Sequence, residues 1–300
     1  MPPRSRKWLL PAVAVAVSAC AAKVAAPSTT SAATRVVACN GRDTGRTAIG
    51  LYYECHGAGR DVVILIPAFS MDVRMWTPQI PLLSALARVI AYDTRGHGRS
   101  TAPVEPYSSV DDLAALMDEL DVSAAHLVGL SNGARIALDF ALVHPTRVRS
   151  LVLASGGASG YRGGDFSYMA PVIRAVQAGD LEQAAELWAA TPLMQIPNDS
   201  GAAALVRTIS RDNRSLWGYR SNPERPLTPP AIARLAEVKV PALIISGERD
   251  LPDMRRLADS LAHGIPAATM IVIPDAGHMV NLASPNEFNR AVLDFLRPRL

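Results

Sequence analysis

Two kinds of hydrophobic pattern alternate along most of this chain. Mainly apolar runs recur at 62–66 (VVILI, continuous), 89–92, 126–130, 148–153 (with Arg149 and Ser150 inside it), 242–246 and 269–273. Several are rich in β-branched residues, as in strands buried on both faces; a strand with one wet face would alternate instead. Between them, apolar residues fall three and four apart, the spacing of helices with one packed side, at 75–87, 110–120, 132–144, 255–263 and 288–296. Pro78 and Pro81 sit early in the first of these, and Ser108 or Ser109 is placed to cap the second. Strand followed by helix, repeated, predicts an α/β fold with a mostly parallel sheet and helices on both faces. Two further strands, 36–39 and 51–56, flank the turn-rich stretch Gly41-Arg42-Asp43-Thr44-Gly45 and would be antiparallel neighbours.

The alternation stops between 155 and 230. Five glycines, from Gly156 to Gly164, lead into short helical patterns at 181–190, capped by Asp180, and at 202–211. A proline-rich stretch, 222–230, closes the segment. It is expected to be a helical lid inserted into a core formed by 36–154 and 231–300.

The N-terminus carries an address. Arg4, Arg6 and Lys7 precede an uncharged run, 8–17, of about ten residues, the layout of an export signal over residues 1–20. That run is too short to cross a bilayer core of about 30 Å. Val17-Ser18-Ala19-Cys20 resembles the bacterial lipobox, in which the cysteine becomes the lipidated first residue of the mature protein. Residues 21–35, rich in Ala, Ser and Thr, would then be a flexible tether. The expected destination is the cell envelope, by a lipid anchor on Cys20; a plain secretory signal, leading to secretion or the periplasm, is the alternative.

Composition sharpens this in three places. Of 300 residues, 49% are hydrophobic and 19% charged, enough apolar material for one sizeable core. The net charge of +3 matches the three cations of the signal, and no basic cluster with interleaved aromatics occurs, so nucleic acid is not an expected partner. The three cysteines are an odd count for an exported chain. With Cys20 lipidated, Cys39 and Cys55 remain, and an oxidising compartment would allow a bridge between them.

The chemistry gathers at chain positions that follow apolar runs. His126-Leu-Val-Gly129-Leu-Ser131-Asn132-Gly133 passes from a strand pattern into a helical one with Gly-x-Ser-x-Gly at the join. On such a turn the serine hydroxyl stands clear of the sheet, and Gly129 and Gly133 fill places where a Cβ would clash. The first helix amides lack partners, which leaves Asn132 N–H for a developing oxyanion. Gly247-Glu248-Arg249-Asp250 and Pro274-Asp275-Ala276-Gly277-His278 follow two later runs. A serine hydroxyl needs a base, for which His278 is the candidate; its imidazole needs a carboxylate, for which Asp250 is suited, with Glu248 and Asp253 as neighbours. His97 lies between glycines and is the rival base; His126 and His144 read as structural. No His/Cys group has metal-ligand spacing and no phosphate-cradling glycine loop follows a strand, so neither metal nor cofactor is expected.

Those motifs, with Asp93-Thr-Arg-Gly-His-Gly-Arg-Ser100, resemble the α/β-hydrolase superfamily over about residues 47 to 298, nearest to its serine esterases, enol-lactonases and cofactor-free haloperoxidase-like enzymes. The resemblance implies an eight-stranded sheet, a lid between the sixth and seventh core strands, and Ser131, Asp250 and His278 as a triad acting on a small carboxylic ester or lactone. One departure stands out. The family usually has His-Gly after the early strand, and this chain has Pro67-Ala68, so the second oxyanion donor would be Phe69 N–H and Ala68 would sit where glycine is usual. Trp188, Trp217 and Met169, in the lid, are candidates to line the substrate pocket, or else to pack the lid. Two other functions remain compatible: perhydrolysis on the same triad, and a surface-anchored binding protein on a hydrolase scaffold.

Overall fold

The computed structural model describes residues 43–219 and 224–300. The expected strand at 36–39 and the signal, lipobox and tether lie outside the described residues. The strands are β1 (Asp43–Arg46), β2 (Tyr52–His56), β3 (Val62–Ile66), β4 (Arg88–Tyr92), β5 (Ala125–Leu130), β6 (Val148–Ala154), β7 (Ala242–Gly247) and β8 (Ala268–Ile273). They form one eight-stranded sheet in the order β1-β2-β4-β3-β5-β6-β7-β8. The β1–β2 and β2–β4 pairs are antiparallel and the rest are parallel.

Helices α1 (Ile80–Ser84), α2 (Ser109–Glu119) and α3 (Asn132–Val143) fall among the early strands, and α4 (Ala170–Gln177), α5 (Leu181–Ala189) and α6 (Ser200–Asp212) between β6 and β7. Then come α7 (Pro252–Gly264), α8 (Val280–Ala283) and α9 (Pro285–Leu296). The apolar runs of the central strands are explained by a core on each side of the sheet; the run in β8, at the sheet edge, leaves Ile271 and Val272 exposed. Val63 and Leu65 of β3, with Val128 and Leu130 of β5, meet Phe288 and Val292 of α9. Val62, Ile64 and Ile66, with Leu127, meet Leu113 of α2, Ile136 of α3 and Leu261 of α7. Successive side chains of a strand point to opposite faces, so both sets must be apolar.

The first hairpin differs from expectation. Residues 43–46, read as turn, form β1, with Asp43 opposite Cys55 and Arg46 opposite Tyr52. The reversal falls at 47–50, where Gly50 has φ +84 and Gly50 N–H donates to Thr47 O. Among the described residues no helix is long and apolar enough to cross a membrane, and no group of three or more His, Cys, Asp or Glu is arranged to hold a metal.

Candidate active site

Ser131 sits between β5 and α3 with φ 54 and ψ −110, a strained backbone for a residue with a Cβ. The two flanking glycines make the turn possible. A Cβ on Gly129 would lie 2.3 Å from Gly133 C and O, and one on Gly133 would lie 2.0 Å from Ile66 O. The start of α3 is thus pressed against the end of β3, where the next loop begins.

Three parallel strands deliver three side chains to one rim of the sheet. His278 Nε2 is 3.0 Å from Ser131 Oγ, and Nδ1 is 3.0 and 2.9 Å from the two oxygens of Asp250. A carboxylate can only accept, so Nδ1 carries the proton and Nε2 of the neutral ring faces the serine O–H as acceptor. The surroundings hold this arrangement. Leu251 N–H donates to Asp250 Oδ1 at 2.7 Å, and Ser155 O–H donates to His278 O at 2.6 Å. Both the imidazole and the carboxylate are buried, and a Cβ on Gly247 would strike the carbonyls of Ala276 and Gly277 at 2.4 and 2.3 Å, so the acid and histidine loops are in close contact.

The competing groups are engaged elsewhere. Glu248 accepts from Asp275 N–H, Asp253 pairs with Arg256 and accepts from Asp165 N–H, and Asp275 pairs with Arg249. His97 borders the same cavity as Phe69, but its Nδ1 lies 3.0 Å from Thr94 Oγ1 and 3.1 Å from Arg95 O, and its ring packs edge-on against Phe69, centroids 5.7 Å apart; burial lowers its pKa. His126 is buried against Ser150 and His144 packs on Phe140, which keeps both away from the rim.

The loop after β3 bears on the Pro67-Ala68 departure. The residue forced to positive φ is not Ala68 but Ser70, at φ 63, and alanine at 68 carries no left-handed penalty. Among the described residues neither Phe69 N–H nor Asn132 N–H finds a protein acceptor. Both amides are therefore left without an internal partner at the ends of β3 and β5.

Phe69 and Asn132 also border a cavity of about 440 Å³. Val172, Ile173 and Val176 of α4, with Leu216 and Trp217, supply its apolar wall, and Arg95, Tyr107 and Glu224 lie at a polar side. Of the three aromatic and sulfur candidates, Trp217 lines the cavity. Trp188 is buried against Phe69 and Met169 packs on the core, so both have the packing role that the sequence left open. Ser70, Asn213 and the α4 valines went unread in the sequence. A serine in the loop after β3 was the available signal for Ser70; nothing local marks Asn213.

The Alpha/beta hydrolase family profile matches residues 62–291. The chain is 31% identical over 269 residues to the "Putative carbamate hydrolase RutD" of Caulobacter sp. (strain K31), covering 83% of this chain and 97% of that one. It is 28% identical over 256 residues to "3-oxoadipate enol-lactonase 2" of Acinetobacter baylyi (strain ATCC 33305 / BD413 / ADP1), covering 81% and 92%. Among solved structures, the enol-lactonase from Burkholderia xenovorans LB400 superposes with a TM-score of 0.68 at 25% identity, covering 85% of this chain and 100% of that chain. A single sheet with a serine elbow at its centre, matched along most of its length by hydrolases, leaves one assignment: this chain belongs to the α/β-hydrolase family.

Proposed function

We propose that this protein is a cofactor-independent serine hydrolase that cleaves a carboxylic ester or lactone through an acyl-enzyme. Ser131 Oγ attacks the substrate carbonyl while His278 Nε2 takes its proton. Asp250 fixes the Nδ1–H tautomer and stabilises the imidazolium. Phe69 and Asn132 amides hold the oxyanion of the tetrahedral intermediate. His278 then returns the proton to the leaving oxygen, and water, activated by the same imidazole, releases the acid and restores Ser131. The observation that carries this reading is the continuous contact from Asp250 through His278 to Ser131.

The residues between β6 and β7 act in this proposal as the lid, 155–230, over the core formed by 36–154 and 231–300. The 440 Å³ cavity beneath α4 has room for a mainly apolar small molecule. The enol-lactonase relatives favour an ester or lactone carbonyl; the carbamate name of the other relative points to the neighbouring class of acyl carbon. We also propose export to the cell envelope on a lipidated Cys20 and a Cys39–Cys55 bridge. Both rest on the sequence, because Cys20 and Cys39 lie outside the described residues.

The test is Ser131→Ala with short p-nitrophenyl esters. Loss of essentially all hydrolysis, with loss of fluorophosphonate labelling, is the expected result. Hydrolysis at the wild-type rate would refute the assignment, and a wild-type protein inert to the fluorophosphonate would favour a binding role.

A further inference from the structure

We propose that Trp188 is a positioning residue: with Asn213, it makes the inserted helices the support of the oxyanion loop. This rests on the hydrolase reading above. Three observations converge on two adjacent loop residues. Ser70 follows the amide donor Phe69 directly, is fully buried, and holds φ 63, a left-handed conformation that is strained for a residue with a side chain. Such a backbone persists only where its surroundings fix it.

Here the fixing groups come from the inserted helices. Trp188 of α5 donates its indole N–H to Ser70 Oγ at 2.5 Å. Asn213, at the C-terminal cap of α6, donates through Nδ2 to Ser70 O at 3.2 Å and to Asp72 Oδ2 at 3.2 Å. Its Oδ1 accepts Gly98 N–H at 2.5 Å, tying in the loop after β4. Phe69 itself is enclosed by edge-on rings, Trp188 at 5.6 Å and Trp217 at 5.5 Å. A backbone amide between a boxed ring and a tethered serine has little freedom to turn. The helices over the site therefore hold the amide in place as well as bounding the cavity.

An amide aimed at the oxyanion acts on the transition state more than on the bound ester. Trp188→Phe keeps an aromatic ring and removes the N–H. It is expected to lower kcat on p-nitrophenyl acetate about tenfold or more, with KM within about twofold of wild type. Ser70→Ala is expected to match it. Because both break one bond, the double variant should be no slower than either single variant. A wild-type kcat in Trp188→Phe, a change confined to KM, or single effects that multiply in the double variant would each overturn the proposal. If Trp188→Phe does not accumulate as folded protein, Ser70→Ala is judged by the same kcat and KM criterion. Ser131→Ala runs alongside. Its full activity would bring down the hydrolase reading, whereas an inactive Ser131→Ala beside an unimpaired Trp188→Phe brings down only the positioning role.

Discussion

At the scale of single residues, burial decides what each histidine can do. His126 is enclosed on β5 with Nδ1 2.7 Å from Ser150 Oγ. Burial, helped by the nearby Arg149 charge, pushes its pKa down to about 4 from 6.5. The native chain therefore holds fewer protons than the unfolded chain between those values. This contribution to stability is complete above pH 6.5 and is lost as the pH falls toward 4. Asp93 works in the opposite direction: burial lifts it to about 6 despite hydrogen bonds from Val73 and Arg99 amides, so its contribution is present at low pH and is lost as the pH rises through 6. A difference measurement separates the two. The gap in melting temperature between wild type and His126→Asn should narrow on acidification from 6.5 to 4. Parallel curves would show that His126 does not titrate there.

At the scale of elements, close backbone approaches rather than side chains shape the rim. Gly133 is the sharpest case, since a methyl there would lie 2.0 Å from Ile66 O. Gly133→Ala should cost about 2–3 kcal/mol and shift the oxyanion loop, lowering both the denaturant midpoint and turnover. Gly179, with φ 79 but nothing within 4 Å, is the control; alanine there should cost only about 1 kcal/mol and leave turnover unchanged. Equal losses at the two positions would contradict this account. These elements also show what a linear sequence discloses. The β3 and β5 runs, the Gly129/Gly133 pair and the order Ser131, Asp250, His278 were legible because burial on both faces and tight turns leave few residue choices. β1 was not legible: Asp43-Thr44-Gly45 carries turn chemistry and became strand through pairing with β2. Nor was the left-handed residue, which lies at Ser70 instead of Ala68, because the sequence does not show which loop residue must turn. The polar cap Asn213 is 143 residues from the Ser70 carbonyl it reaches, and no local pattern encodes such a contact.

At the scale of the whole molecule, the ends of the chain carry a prediction that mass measurement resolves. Cys55 is buried on β2 with Asp43 opposite it, four residues beyond Cys39 in the sequence. A bridge closing the loop from Cys39 to Cys55 would stabilise the fold by about 3 kcal/mol in the chain-entropy model. Protein isolated from the cell envelope should begin at Cys20 with the added mass of acyl chains. Denatured without reductant, it should take up no alkylating agent at Cys39 and Cys55; with reductant, both should react. Equal uptake in the two conditions would exclude the bridge, and an unmodified mature N-terminus would exclude the anchor.

The distance between Ser131 and His278 along the chain, 147 residues, has a consequence for biosynthesis. A ribosome delivers the serine elbow long before the imidazole that contacts it. Until the last strand and the loop after it emerge, the hydroxyl lacks the imidazole that the proposed mechanism gives it as base. A nascent or prematurely released polypeptide would therefore be chemically quiet, and reactivity would arrive only as the sheet is finished.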